Sequence, residues 1–313
     1  MDAIIAPVNR SLIESELTKE KFVRHTSRGG NLLYVITAHD SPNTMHEIGR
    51  LREIAFRSAG GGTGKSIDID EFDLQENPYK QLIVWDPKAK EIIGGYRYIL
   101  ANSCKIDELA TSELFIFTQK FIDKYMPYTI ELGRSFVQPD YQSSKLRHKG
   151  IYALDNLWDG LGALVLKYPE INYFFGKVTM YVSYNVKARN MLLYFLRKHF
   201  WDKEELVIPI HPLITNARNE EMEAIFKGDY KEDYKTLSKQ IRAIGEHIPP
   251  LINSYMNLSP SMKVFGTAIN DHFGGVEETG ILINISDIYS EKIERYVGPL
   301  RKVANRIRRI SKW

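Results

Sequence analysis

Apolar positions along the chain recur at two spacings, and the alternation between them predicts a mixed α/β fold. Strand-like runs cover Asn31 to Ala38 (NLLYVITA), Gln81 to Asp86, Glu91 to Leu100, Thr129 to Val137, Tyr173 to Val182 and Leu206 to Ile210. The second and third flank the turn DPKAK and read as a hairpin. Helical spacing lies between the strands. Ile48, Leu51, Ile54 and Ala55 share one face of a helix with Ser41 at its N-cap. Further helices are expected over Ser112 to Tyr125, Ile151 to Tyr168, Asn185 to His199 and the charged stretch Asn219 to Ile244. From His247 to Ile288, turns alternate with apolar runs such as KVFGTAI and GILINI. With no internal repeat, one central mixed sheet flanked by helices on both sides is the economical architecture, and the segment after residue 211 extends it.

Composition narrows the class of protein. A net charge of +3 over 313 residues gives no electrostatic case for nucleic acid. The single cysteine, Cys104, allows no intrachain disulfide and fits a reducing compartment. The N-terminal residues MDAIIAPVNRSLIESE turn polar too early for a signal peptide, and no window holds the roughly 18 apolar residues of a membrane span. The expectation is a cytoplasmic enzyme-sized protein whose membrane contacts are peripheral.

Two stretches carry candidate chemistry. AGGGTGKS, Ala59 to Ser66, fits a relaxed phosphate-loop pattern, but it follows a helix and leads into the acidic SIDIDEFD. A phosphate loop must follow a strand and open a helix, so a mobile flap is the better reading. The second stretch is YTIELGRSFVQPDYQ. Strand alternation puts Glu131 and Gly133 on one face and Leu132 and Arg134 on the other. A carboxylate in so apolar a run must be paired or face a cleft. Spacing alone leaves open a structural Glu–Arg salt bridge.

Glu131-Leu132-Gly133-Arg134 with Phe136-Val137 resembles the E-L-x-R-x-x-V strand of two related groups. These are the acyl-homoserine-lactone synthases and the "hemolysin-like" N-acyltransferases that make ornithine and glycine lipids. Further matches lie upstream in the same order. Leu51-Arg52 with Phe56 is similar to their Arg- and Phe-bearing helix. Asp70-x-Phe72-Asp73 is similar to their D-x-[YF]-D segment, and Gly95-Tyr96-Arg97 to their G-x-R strand. Downstream, Asn185, Ala188 and Tyr194 resemble the helix along the pantetheine arm in GNAT enzymes. IPPLINSYMNLSPSMKVFGTAINDHFGGVEETGILINI resembles the C-terminal part of the lipid-forming group and not of the lactone synthases.

The resemblance implies a GNAT-like fold with an N-terminal segment over 1–30 and an acyltransferase core over 31–210. An extension over 211–290 and a basic amphipathic helix over 291–313 would follow. It also implies direct transfer of a long, 3-hydroxy fatty acyl group from acyl carrier protein to a small amino acid. Glycine is favoured as acceptor and ornithine comes next. Glu131 would serve as base, and Tyr194 would protonate the leaving thiolate unless it is core packing. Arg52, Phe56, Asp70, Asp73, Arg97 and Arg134 would bind substrate. Ser135, Phe136, Val137, Arg147, Lys149, Gly150 and Asn185 would serve the oxyanion and the pantetheine. No metal and no tightly bound cofactor is expected.

Where coenzyme A-dependent enzymes carry [RQ]-x-x-G-x-[GA], this chain has Arg147-His148-Lys149-Gly150-Ile151-Tyr152. The tyrosine disfavours a pyrophosphate cradle, which turns the donor from acyl-CoA toward a carrier-protein thioester. Arg147, His148 and Lys149 suit an acidic carrier protein. The C-terminal GPLRKVANRIRRISKW places Leu300, Val303, Ala304, Ile307 and Ile310 on one helix face among basic residues. That face could lie in anionic headgroups or cover the protein's own core. The rival functions are a lactone synthase and a non-catalytic, membrane-binding or lytic protein.

Overall fold

The computed structural model describes residues 1–142, 152–215 and 219–298. In chain order the strands are β1 (Phe22–His25), β2 (Leu32–Ile36), β3 (Lys80–Asp86), β4 (Glu91–Leu100), β5 (Phe115–Phe117), β6 (Thr129–Val137), β7 (Tyr173–Met180), β8 (Val207–Pro209), β9 (Lys263–Asn270) and β10 (Val276–Asn284). The first five helices are α1 (Arg10–Glu16), α2 (Pro42–Ala59), α3 (Glu71–Leu74), α4 (Gln119–Lys124) and α5 (Ala153–Lys167). They are followed by α6 (Val186–Phe200), α7 (Asn219–Ile225), α8 (Tyr230–Ala243), α9 (Pro250–Met256) and α10 (Ser290–Tyr296). The main sheet has eight strands in the order β1-β2-β3-β4-β6-β7-β10-β9, and β5 pairs with β8 apart from it.

The central strands are buried along nearly their whole length, as near-continuous apolar runs require. On one face, Leu157 and Leu161 of α5, Leu192 and Phe195 of α6 and Ile252 of α9 pack on Leu82, Tyr96, Ile130 and Leu132. On the other, Ile48, Leu51 and Phe56 of α2 pack on Ile83, Ile92 and Phe136. Beside them Phe115, Phe121 and Phe175 build an aromatic layer. The segment after residue 211 supplies β10, which lies against β7, and β9 at the sheet edge.

The helix expected over Ser112 to Tyr125 is replaced by 3-10 turns, strand β5 and the short α4. Phe115 and Phe117 are buried while Ile116 between them is 56% exposed. That is a period of two, and pairing with β8 lets the strand prevail.

One irregularity shapes the sheet. Gly95 pairs with Phe136 and Arg97 with Gly133, so Tyr96 alone faces both Arg134 and Ser135. The surplus residue is a β-bulge, and Arg134 takes the left-handed conformation at φ 47°. Beyond it the sheet opens. The parallel β6–β7 ladder runs only from Thr129↔Tyr173 to Leu132↔Gly176, although both strands continue. At the last pair a Cβ on residue 176 would stand 2.6 Å from the Leu132 carbonyl oxygen, so only glycine allows this approach.

A buried polar seam ties α2 to the sheet. Arg52 is fully buried; its guanidinium donates to Asp73 at 3.0 Å and to the Gln81 side chain at 2.5 Å. Gln81 in turn donates to the other Asp73 oxygen at 2.9 Å. Removing one partner from a buried pair leaves the other charge uncompensated, at a cost of about 3–5 kcal/mol. Arg52→Ala should therefore lose stability of that order in denaturant unfolding followed by circular dichroism. A loss below about 1 kcal/mol would show that the seam does not hold α2 in place.

Candidate active site

The opening between β6 and β7 is a narrow cleft. Leu132, Phe174, Phe175, Leu251, Ile281 and Ile283 give it apolar walls, and Gly133, Arg134, Ser135, Lys177, Tyr96 and Tyr255 complete the lining. No strand pairs with the β7-facing edge of β6 beyond Leu132 among the described residues. Backbone polar groups there are free of ladder bonds, as an oxyanion site needs.

On the α2 side of the cleft runs a chain of alternating charges. Arg97 lies 2.7 Å from both oxygens of Asp70 and 3.5 Å from Asp73, which also holds Arg52. Arg134 bridges Asp70 at 3.3 Å and Asp68 at 3.0 Å, and its guanidinium sits 4.3 Å over the Phe273 ring. The Arg97 guanidinium stacks on Tyr79 at 5.0 Å. It also crosses Gly133, where a Cβ would meet its Nε at 3.3 Å, so the glycine in ELGR makes room for it. Next to Arg134, Lys177 is ion-paired with Glu278, which also accepts from Asn270 at 2.9 Å and Thr179 at 3.1 Å.

Burial opposes ionisation throughout, yet the outcome differs from group to group. Arg97 and Arg134 overcome desolvation at Asp70 and hold its carboxylate well below the usual range. Lys177 does the same for Glu278. At Asp68 desolvation prevails over the neighbouring arginines and pushes the carboxyl up.

Glu131 is 1% exposed, and its two oxygens accept from the Tyr79 hydroxyl at 2.7 Å and Thr111 at 2.5 Å. Desolvation raises its pKa despite these hydrogen bonds and the charges of Arg97 and Lys177. It faces the same side of β6 as Gly133 and is not among the residues lining the cleft.

Several expected roles require correction. Strict alternation put Arg134 on the Leu132 face, but the bulge reverses the parity and its side chain joins Arg97 and Asp70. The partners are therefore Arg134 with Asp68 and Asp70, and no Glu131–Arg134 salt bridge forms. Arg52 is fully enclosed on Asp73 and Gln81 and has no surface to offer a substrate. Phe56 is core, edge-on to Phe273 at 5.1 Å. Tyr194 stacks on Phe226 at 5.8 Å and does not line the cleft, because Met191, Leu192 and Phe195 form the buried side of α6. Phe136 is buried against α2 and Val137 packs on the opposite core; of this run only Ser135 lines the cleft. The Asn185 side chain caps α6 by accepting from Lys187 and Ala188 backbone N–H groups. Arg147, Lys149, Gly150 and the basic stretch from residue 299 onward lie outside the described residues.

AGGGTGKS holds a carboxylate of its own chain. Glu53 accepts from the Thr63 backbone at 3.1 Å, the Thr63 hydroxyl at 2.8 Å and the Gly64 backbone at 2.9 Å, and Arg57 pairs with it at 2.6 Å. The cradle is filled from within.

Pattern reading missed Asp68, Tyr79, Gln81, Thr111, Lys177 and Glu278. A signal existed for Lys177, a lone charge inside the apolar strand YFFGKVTM, and for Gln81 inside KQLIVWD. Thr111 sits in a 3-10 turn, where no periodicity marks it.

Residues 51–149 match the acetyltransferase (GNAT) domain family. The chain is 56% identical to a glycine N(alpha)-acyltransferase of Bacteroides thetaiotaomicron, over 95% of its own length and 90% of that protein's. It is 54% identical to a glycine N(alpha)-acyltransferase of Phocaeicola vulgatus, over 95% and 93%. Among solved structures, the acyl-homoserine lactone synthase BjaI aligns at 15% identity and a TM-score of 0.31, covering 48% of this chain and 67% of that one. The synthase LasI aligns at 14% and 0.29, covering 53% and 77%. A GNAT domain match that includes β6 and the near-complete match to both bacterial enzymes place the chain in one family with them: it belongs to the GNAT-fold N-acyltransferases.

Proposed function

We propose that the chain transfers a long 3-hydroxy fatty acyl group from the phosphopantetheine thioester of acyl carrier protein to the amine of glycine, the first step toward an aminolipid. Identity above 50% along almost the whole of two enzymes named for glycine is the observation that carries the acceptor. The cleft supports an acyl chain, since each methylene buried against its apolar walls contributes about 0.8 kcal/mol. Arg134 and Lys177 are the cations in the lining and suit the acceptor carboxylate. Tyr152 at the N-cap of α5, with the Arg28 guanidinium 5.7 Å over its ring, favours a carrier-protein arm over the pyrophosphate of coenzyme A. No helix among the described residues is long and apolar enough to cross a membrane. In this reading the enzyme works at the inner face of the membrane as a peripheral protein, with the basic C-terminal segment as its contact.

The thioester carbonyl lies at the mouth of the splay, where backbone N–H groups beside Ser135 take the developing oxyanion. The acceptor amine must lose a proton to attack, and Glu131 receives it through a water. Burial makes Glu131 a better base than an ordinary carboxylate, which supports that role. Collapse of the tetrahedral intermediate expels the pantetheine thiolate, which takes up the second proton from the former amine, and leaves the amide and the free thiol.

Purified protein with a long-chain 3-hydroxyacyl carrier protein and glycine should form N-acylglycine, detected by mass spectrometry, with acyl-CoA a poorer donor. Faster acylation of ornithine would reassign the acceptor, and equal use of acyl-CoA would sink the donor assignment. Glu131→Gln should lower kcat about 10²–10⁴-fold at saturating glycine. Because the folded pKa is raised, the wild-type rate should climb with pH along a limb displaced above the ordinary 4.5 of a glutamate, and the Gln variant should lack that limb. Undiminished turnover would remove Glu131 from the base role.

A further inference from the structure

Within the otherwise apolar part of the cleft, three hydroxyls converge. Tyr96, Ser135 and Tyr255 line it together with Leu132, Phe174 and Ile283. Tyr96 is 3% exposed and Tyr255 7%. The Tyr96 hydroxyl is buried and makes no hydrogen bond of good geometry, although the Ser135 and Tyr255 hydroxyls lie within hydrogen-bonding reach of it. Buried hydroxyls in folded proteins are nearly always paired, and leaving one unpaired costs stability that phenylalanine would not. Phenylalanine would keep the packing of either ring, including the edge-on contact of Tyr255 with Trp158 at 5.5 Å. A buried hydroxyl whose neighbours are poorly aligned has bonding capacity left for a partner that arrives with a ligand.

The fold says which end of the ligand that is. Tyr96 is the residue opposite the bulge, facing Arg134 and Ser135, so its hydroxyl lies at the start of the splay and not at the far end of the acyl slot. Burial keeps both tyrosines protonated and therefore able to donate. We infer that Tyr96, supported by Ser135 and Tyr255, reads an oxygen substituent on the acyl chain close to the thioester, the 3-hydroxyl, and sets the donor preference of the enzyme. The inference rests on the acyl-transfer reading above and adds the side chains that select the chain's chemistry.

The test uses full-length protein, saturating glycine and two carrier-protein donors of equal chain length, one 3-hydroxylated and one unsubstituted. Wild type should favour the hydroxylated donor at least about tenfold in kcat/KM. Tyr96→Phe should cut kcat/KM for that donor about 10–100-fold and leave the unsubstituted donor unchanged or improved. Tyr255→Phe should act in the same direction to a lesser extent, which guards against a folding defect in one variant. An equal fall with both donors would assign Tyr96 to the oxyanion or to packing and overturn the inference. So would indifference of the wild type to the hydroxyl. Failure of the wild type to acylate glycine from either donor would instead overturn the functional reading itself.

Discussion

One surplus residue on β6 determines how this molecule is built. A sheet tolerates an extra residue only by bending the strand that carries it, and here the bend parts β6 from β7 after four paired residues. The cost is a non-glycine residue in the left-handed region, which persists where the surroundings over-determine it. Asp68, Asp70 and the Phe273 ring supply that constraint by gripping the Arg134 guanidinium from three sides. Replacing Arg134 by a residue unable to reach these partners would leave the strain and remove what holds it. The cleft is thus a consequence of backbone geometry, and the charges beside it keep that geometry in place.

The same charges divide the sheet into two chemical faces. On the α5–α6 side the cleft walls are apolar and the polar atoms are hydroxyls that keep their protons. On the α2 side, Arg52, Arg97, Arg134 and Lys177 alternate with Asp73, Asp70, Asp68 and Glu278. Single buried ions would be expelled or neutralised, whereas here Asp73, Arg97, Asp70 and Arg134 each meet two charges of opposite sign and Lys177 is paired with Glu278, which offsets desolvation.

Much of the fold was legible because its strands are short, apolar and separated by clear turns. Glu91–Leu100 and Thr129–Val137 follow the pattern to the residue, and β3 and β7 differ from it by one or two positions. The failures have physical causes. Phe115 and Phe117 could serve a helix or a strand, and only the distant partner β8 decides between them. The face of Arg134 could not be read, since a bulge arises from pairing with β4 and local pattern carries no trace of it. Of the candidate residues, Asp70, Asp73, Arg97 and Arg134 do converge. Tyr194 and Asn185 do not reach them, because a motif at roughly the right spacing fixes the helix but not which side of it turns inward. AGGGTGKS matched a phosphate loop in letters only; the anion in its cradle is Glu53, one helix turn before Arg57.

The carboxylates around the cleft differ in their readiness to take up a proton. A carboxylate held below its ordinary range by cations is a weak base, and this removes Asp70 and Glu278 from that role. Asp68 has the raised pKa but is ion-paired with Arg134. Glu131 combines a raised pKa with hydroxyl partners in place of cations, and neutral partners leave it free to take up a proton without breaking an ion pair. A protonated Glu131 can keep both hydrogen bonds by turning donor toward Tyr79, whose hydroxyl then accepts, whereas a protonated Asp70 would forfeit its attraction to Arg97. The charge chain and Glu131 thus carry out different tasks on one face, the first holding the cleft open and the second open to protonation.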